Sequence, residues 1–171
     1  MPFNASHVIA ELERNQSVIN HLLNNTGDDE IKYRPDNDKW CLLEVICHLR
    51  DEEVEDFRAR VQSVLNDPDQ ALSPIDPVGW VTSRQYLEND FHEVLRDWNN
   101  ERGKSIQWLR SLNAPSWENA FLHPKFGPMS AQLFLCNWLS HDYHHIRQIN
   151  AIKRAYLMNE SGENLRYAGV W

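Results

Sequence analysis

An all-α four-helix bundle is the fold this sequence predicts, and three observations carry it. Four long segments repeat their apolar residues at helical rather than strand spacing, and stretches rich in Pro, Gly, Asn and Asp separate them. The chain's 171 residues also suit one hydrophobic core and are short for two, so a single domain over residues 1–171 is expected. The first helix, residues 6–24, aligns Val8, Ile9, Leu12, Ile19, Leu22 and Leu23 on one face and stops at Asn25-Thr26-Gly27. The second, residues 41–66, opens with Trp40 and Val45 placed as a hydrophobic staple and Glu44 where a capping box needs an acid. A loop carrying Pro68, Pro74 and Pro77 follows, long enough for a crossover connection or a lid. The third helix, residues 83–111, bears the stripe Leu87, Phe91, Val94, Leu95, Trp98, Leu109 and Leu112, with Gly103 as its weak point. The fourth starts after Pro128, is capped by Ser130 and reaches Tyr156, leaving residues 158–171 as a C-terminal tail.

Composition excludes several functions. The six glycines, at 27, 79, 103, 127, 162 and 169, are isolated from one another, so no Gly-rich loop can wrap a phosphate. A net charge of −8 repels polyanions, and Arg147, Lys153, Arg154 and Arg166 are too dispersed to reverse this locally; nucleic acid is not an expected partner. No apolar run exceeds four residues, so neither a membrane span nor a secretory leader is expected. Three cysteines (Cys41, Cys47, Cys136) without C-x-x-C spacing read as reduced thiols of a cytoplasmic protein.

The chemistry concentrates in the fourth helix, where His141, His144 and His145 fall within five residues. At about 100° per residue His141 and His145 lie about 40° apart and one turn from each other, so their imidazoles can converge. The helix's apolar arc, built on Phe134, Trp138, Ile149 and Ile152, includes His145 and borders His141, whereas His144 flanks the pair. Two inward imidazoles need partners, since an unsatisfied buried polar group costs roughly 1–3 kcal/mol. Hydrogen bonding, for example to Asp142, is one explanation; a shared metal ion is the other. Elsewhere, His48 lies roughly opposite the second helix's main stripe (Leu43, Ile46, Val54, Phe57, Val61, Val64), and by itself reads as a surface residue paired with Glu44 or Glu52. The run Asp51, Glu52, Glu53, Glu55, Asp56 reads as a solvated face.

Three ordered motifs combine these residues: Trp40-Cys41 with Glu44, Val45, His48, Leu49 and Glu52; His123-Pro124-Lys125-Phe126-Gly127-Pro128; and His141-Asp142 with His145, Gln148 and Ile149. Together, over roughly residues 5 to 155, they resemble the DinB-like superfamily, and are especially similar to its YfiT-like metal-dependent hydrolases. The resemblance implies a four-helix bundle with a crossover connection and a metal held by His48, His141 and His145. One departure is Cys41, where the family has Ser or Thr, a stronger helix cap. His123 stands in a family motif, where a loop-anchoring hydrogen bond is its default role and substrate contact the alternative.

Three histidine ligands leave a divalent ion with open positions, the arrangement of catalytic rather than closed structural sites. Such an ion, zinc or nickel, activates a water or a thiol at neutral pH. The resemblance also implies a low-molecular-weight thiol as co-substrate, a small electrophilic substrate and a homodimer. Asp142, Glu52 and His144 are then candidates for orienting the ligands or moving protons. The expected activity is metal-dependent thiol transfer or hydrolysis; the competing expectation is a non-catalytic, stress-related binding module whose metal is structural.

Overall fold

The computed structural model describes residues 3–169, and the tail's last two residues, 170–171, lie outside them. Helix α1 spans Ala5–Leu23, with the Asn4 side chain accepting the His7 amide N–H at 3.1 Å. A short α2, Asp28–Lys32, precedes α3, Leu42–Glu52. At the start of α3, Glu44 accepts the Cys41 backbone N–H at 2.9 Å and pairs with Arg34, so an acid at the third position secures an end that a thiol caps poorly. The helix continues without a break through a π-helical segment, Glu53–Arg58, into α4, Ala59–Asn66.

The proline-bearing loop is partly helical. Asp76 caps α5, Pro77–Ser83, by accepting the Gly79 amide at 3.0 Å, and a 3₁₀ turn follows at Tyr86–Glu88. Helix α6 spans Phe91–Ser111 and so starts later than the predicted residue 83: Gln85 is left-handed, at φ 48°, and Asp90 accepts the Glu93 amide at 2.8 Å to begin a new helix. A hairpin not foreseen from the sequence, β1 Ala120–His123 against β2 Gly127–Ser130, pairs Ala120 with Ser130 and His123 with Gly127. Its four-residue strands are too short to show an alternation. Helix α7 spans Ala131–Ser161, capped by Ser130 as predicted but running past Tyr156 to Gly162, whose φ of 67° suits a helix-ending glycine.

Helix α1 packs principally on α6 and α7, and the α3–α4 rod packs on the same two, which sets α1 and the rod at opposite corners of a four-helix bundle. The crossing connections are therefore residues 24–41, between α1 and the rod, and residues 112–130, between α6 and α7, whereas the long loop at 67–90 joins neighbouring helices. No helix among the described residues is long and apolar enough to cross a membrane.

The core is divided in two. One apolar cluster gathers Ile19, Leu23, Leu43, Ile46, Trp98, Ile149 and their neighbours; the other gathers Leu12, Phe57, Val61, Ile106, Leu135 and Trp138. Between them runs a polar belt to which every bundle helix contributes: Asn15 from α1, His48 and Glu52 from α3, Glu53 from the π segment, Arg102 and Ser105 from α6, and Asp142 and His145 from α7. Its centre is Arg102, buried and bonded on one edge to Glu53 at 2.9 and 3.0 Å, on the other to Asp142 at 2.7 and 2.8 Å, and to the Leu12 carbonyl at 3.2 Å. The Trp138 indole N–H donates to Glu53 at 3.0 Å. Every charged group of this set is hydrogen-bonded, as burial of charge requires.

The acidic run is thus not a solvated face. Asp51 accepts from Tyr86 and Arg84, Glu52 faces the histidines, Glu53 holds Arg102 and Asp56 pairs with Arg60; only Glu55 of the five is exposed. Helical i→i+5 bonding winds the chain more slowly than an α-helix, so the π segment rotates residues after Glu52 relative to those before it. Helix α3, in contrast, is regular but buried on nearly every side, with Arg50 alone partly exposed, so a wheel's division into a core stripe and an opposite surface does not hold there, and His48 is buried at 5% exposure.

Candidate metal centre

Three imidazoles and one carboxylate converge where α3 faces α7. The His141 and His145 rings stand one turn apart, with Nε2 atoms 2.9 Å from each other, and His48 Nε2 comes within 3.2 Å of His141 Nε2. All three ligand atoms lie within 4.8 Å of one another. Glu52 Oε2 lies 2.9 Å from His141 Nε2 and 3.7 Å from His48 Nε2. Behind the cluster, His145 Nδ1–H donates to Gln148 Oε1 at 2.7 Å, which assigns the proton to Nδ1 and turns the Nε2 lone pair inward. Trp40 packs against the His48 ring at 4.9 Å between centroids, and Phe57 against that of His141, also at 4.9 Å.

This donor set fits a divalent metal. Zinc–imidazole bonds of about 2.0–2.1 Å in tetrahedral geometry place ligand nitrogens about 3.3 Å apart, close to the observed separations. Burial, reinforced by the neighbouring rings, lowers the His145 pKa to about 2 and, despite the opposing pull of Glu52, that of His48 to about 4. Both rings are therefore neutral and ligand-competent near pH 7. Burial works to raise the Glu52 pKa, but the hydrogen bond to His141 and the surrounding imidazoles outweigh it and hold the carboxyl below its ordinary range.

These shifts carry a stability consequence. Unfolded histidines bind protons below their ordinary value near 6.5, whereas the folded His48 ring stays neutral down to about 4. The unfolded state therefore holds more protons in that window, and stability falls as pH drops through it. The metal-free protein is expected to lose melting temperature steadily from pH 7 to pH 4.5; a flat profile contradicts this reading.

Two cavities meet at the cluster, and His141 and His144 line both. The larger, about 600 Å³, is bounded by Glu52, Phe57 and Phe134 on the helices and by His123, Phe126 and Met129 on the hairpin. The smaller, about 370 Å³, lies against Lys39, Trp40, His48, His145 and Gln148. The sequence-derived candidates thus separate spatially. His48, His141, His145 and Glu52 come together, and His144 is exposed at the mouths of both cavities with its ring 5.0 Å from that of His145. Asp142 is placed elsewhere, on the face of α7 that meets Arg102, with both carboxylate oxygens engaged there. Gln148 and Trp40 stand in the quoted motifs, but periodicity assigns them no role. Arg102 carries a legible signal, a charged residue set in the apolar stripe of Leu95, Trp98, Ile106 and Leu109.

Nothing among the curated proteins matches this chain. Among solved structures it is similar to YfiT from Bacillus subtilis, described as a probable metal-dependent hydrolase with an unusual four-helix bundle topology. The likeness has a TM-score of 0.77 at 20% sequence identity and covers 88% of this chain and 86% of the other. The sequence itself matches the DinB superfamily over residues 11–149. On that match, which takes in the whole of the α3–α4 rod and of α6, most of α1 and α7 and all three histidine-bearing motifs, the chain belongs to the DinB superfamily.

Proposed function

We propose that this protein is a metal-dependent hydrolase acting on a small electrophilic acyl substrate, with zinc or nickel held by His48, His141 and His145. The observation that carries the reading is the convergence of three Nε2 atoms with Glu52 Oε2, 2.9 Å from His141, at the meeting of two cavities. A bound divalent ion supplies Lewis acidity and brings the pKa of water toward about 7. Glu52, ionised at neutral pH, accepts the proton that the attacking water loses at Oε2 and returns it to the leaving group. Gln148 fixes the tautomer of His145, and Phe57 and Phe134 keep the substrate side of the rings dry. The His141 side chain retains 19% exposure, which suits an open catalytic position better than the closed shell of a structural metal.

A second reading, transfer of a low-molecular-weight thiol to the electrophile, is favoured by the smaller cavity, which gives a co-substrate its own approach to the same rings. The test uses the zinc- or nickel-loaded protein with p-nitrophenyl acetate, and separately with an aryl chloride plus N-acetylcysteine. Ester turnover that falls about a hundredfold in Glu52→Gln, at unchanged metal content, is the expected result. Equal turnover in that variant contradicts the hydrolase reading, and activity only in the presence of thiol selects transfer.

A further inference from the structure

His123 closes β1 at the hairpin and has no part in the scheme above. Its Nδ1 faces two backbone donors, the Lys125 N–H at 3.1 Å and the Phe126 N–H at 3.2 Å. An atom that receives two amide protons must present its lone pair, so in the neutral ring the proton sits on Nε2. The ring is also stacked on Phe126, with centroids 4.7 Å apart and planes 30° from parallel, which fixes its plane. Thus oriented, His123 lines the 600 Å³ cavity that also contains Glu52 and His141. Backbone bonds on one side of an imidazole leave the other nitrogen as a donor of fixed direction, the arrangement needed to orient a polar atom of a ligand.

We propose that His123 is the substrate-orienting donor of this cavity, giving its Nε2–H to the carbonyl oxygen of a neutral ester or amide that carries an aryl or branched alkyl group. The substrate class follows from the walls. Phe57, Ile75, Met129 and Phe134 are apolar, and the guanidinium that lines the cavity, Arg60, is already paired with Asp56 and is not offered to an anionic ligand. The assignment rests on the hydrolase reading for its chemistry but makes a claim about binding that can be read separately.

The experiment is an NMR titration of the zinc-loaded protein with N-benzylacetamide, a neutral aryl amide, in wild type, His123→Asn and His123→Gln. The asparagine carbonyl reproduces the acceptor for the turn but lacks the distal donor; the longer glutamine places an N–H near the former Nε2. His123→Asn is expected to keep the melting temperature and metal content and to bind about tenfold more weakly, the scale of one hydrogen bond. His123→Gln is expected to recover binding to within about threefold of wild type. In the wild-type protein, long-range ¹H–¹⁵N correlation is expected to show the Nε2–H tautomer at His123. Absence of wild-type binding, equal binding in the asparagine variant, or an Nδ1–H tautomer overturns the proposal. Binding that follows this pattern without any ester turnover would retain His123 as the donor while discarding the hydrolase reading. Turnover unchanged in His123→Asn would do the reverse.

Discussion

Replacing Arg102 by methionine is expected to destabilise the protein by about 3–5 kcal/mol, the cost of removing one member of a buried ion cluster. The substitution roughly preserves volume, so packing against Trp98 and Trp138 is largely retained; what is lost is the charge. Glu53 and Asp142, at 1% and 0% side-chain exposure, are then left without their cation, and the Leu12 carbonyl loses its side-chain donor. For a chain of this size the loss corresponds to a fall of roughly 10 °C in melting temperature. Replacing Glu53 and Asp142 as well by apolar residues is expected to restore part of it, because the penalty comes from unpaired charge. Thermal and urea denaturation of the single and triple variants measure this directly. A loss below about 1 kcal/mol in Arg102→Met would show that the belt is not the junction it is described to be.

Removing one imidazole of the cluster is the second large effect. His145→Ala takes away a nitrogen that Gln148 has already oriented, and leaves two imidazoles, His48 and His141, with Glu52 beside them in place of the three-imidazole set. Affinity for zinc is expected to fall by more than the roughly 10–100-fold typical of losing an outer-shell partner, and turnover with it. The fold is expected to persist, because the two apolar clusters on either side of the belt do not depend on this ring. Competition titration against a chromophoric chelator separates the outcomes. Stoichiometric, unweakened binding in His145→Ala would remove this ring from the ligand set.

The features legible in the sequence are those written in short-range periodicity. His141 and His145 lie on one face because a helix has 3.6 residues per turn, and α7 is regular across both. Ser130 is readable as a cap for the same reason: its partner, the Leu133 amide, is three residues away. The burial of His48 is not legible in this way, because α3 is enclosed on nearly every side by α2, α5, α6 and α7, and its own apolar spacing does not record those neighbours. The family motif groups His48 with His141 and His145, and the three rings do stand together, which the wheel does not indicate. The acidic run misleads for a different reason. Charge patterning places Glu53 in solvent, but its partner Arg102 comes from tertiary packing, which composition does not record, whereas the Asp56–Arg60 pair has ordinary i,i+4 spacing. Asp142 shows the limit of adjacency: it is next to His141 in sequence, yet 100° of helical rotation turns it to Arg102 and away from the rings.

The most direct test of the three-imidazole centre is X-ray absorption spectroscopy of the zinc-loaded protein in solution. Three histidine nitrogens at about 2.0–2.1 Å, with the multiple-scattering pattern of imidazole and completed by oxygen, are the expected first shell. A shell with fewer than three imidazoles, or one containing thiolate sulfur at about 2.3 Å, would contradict it.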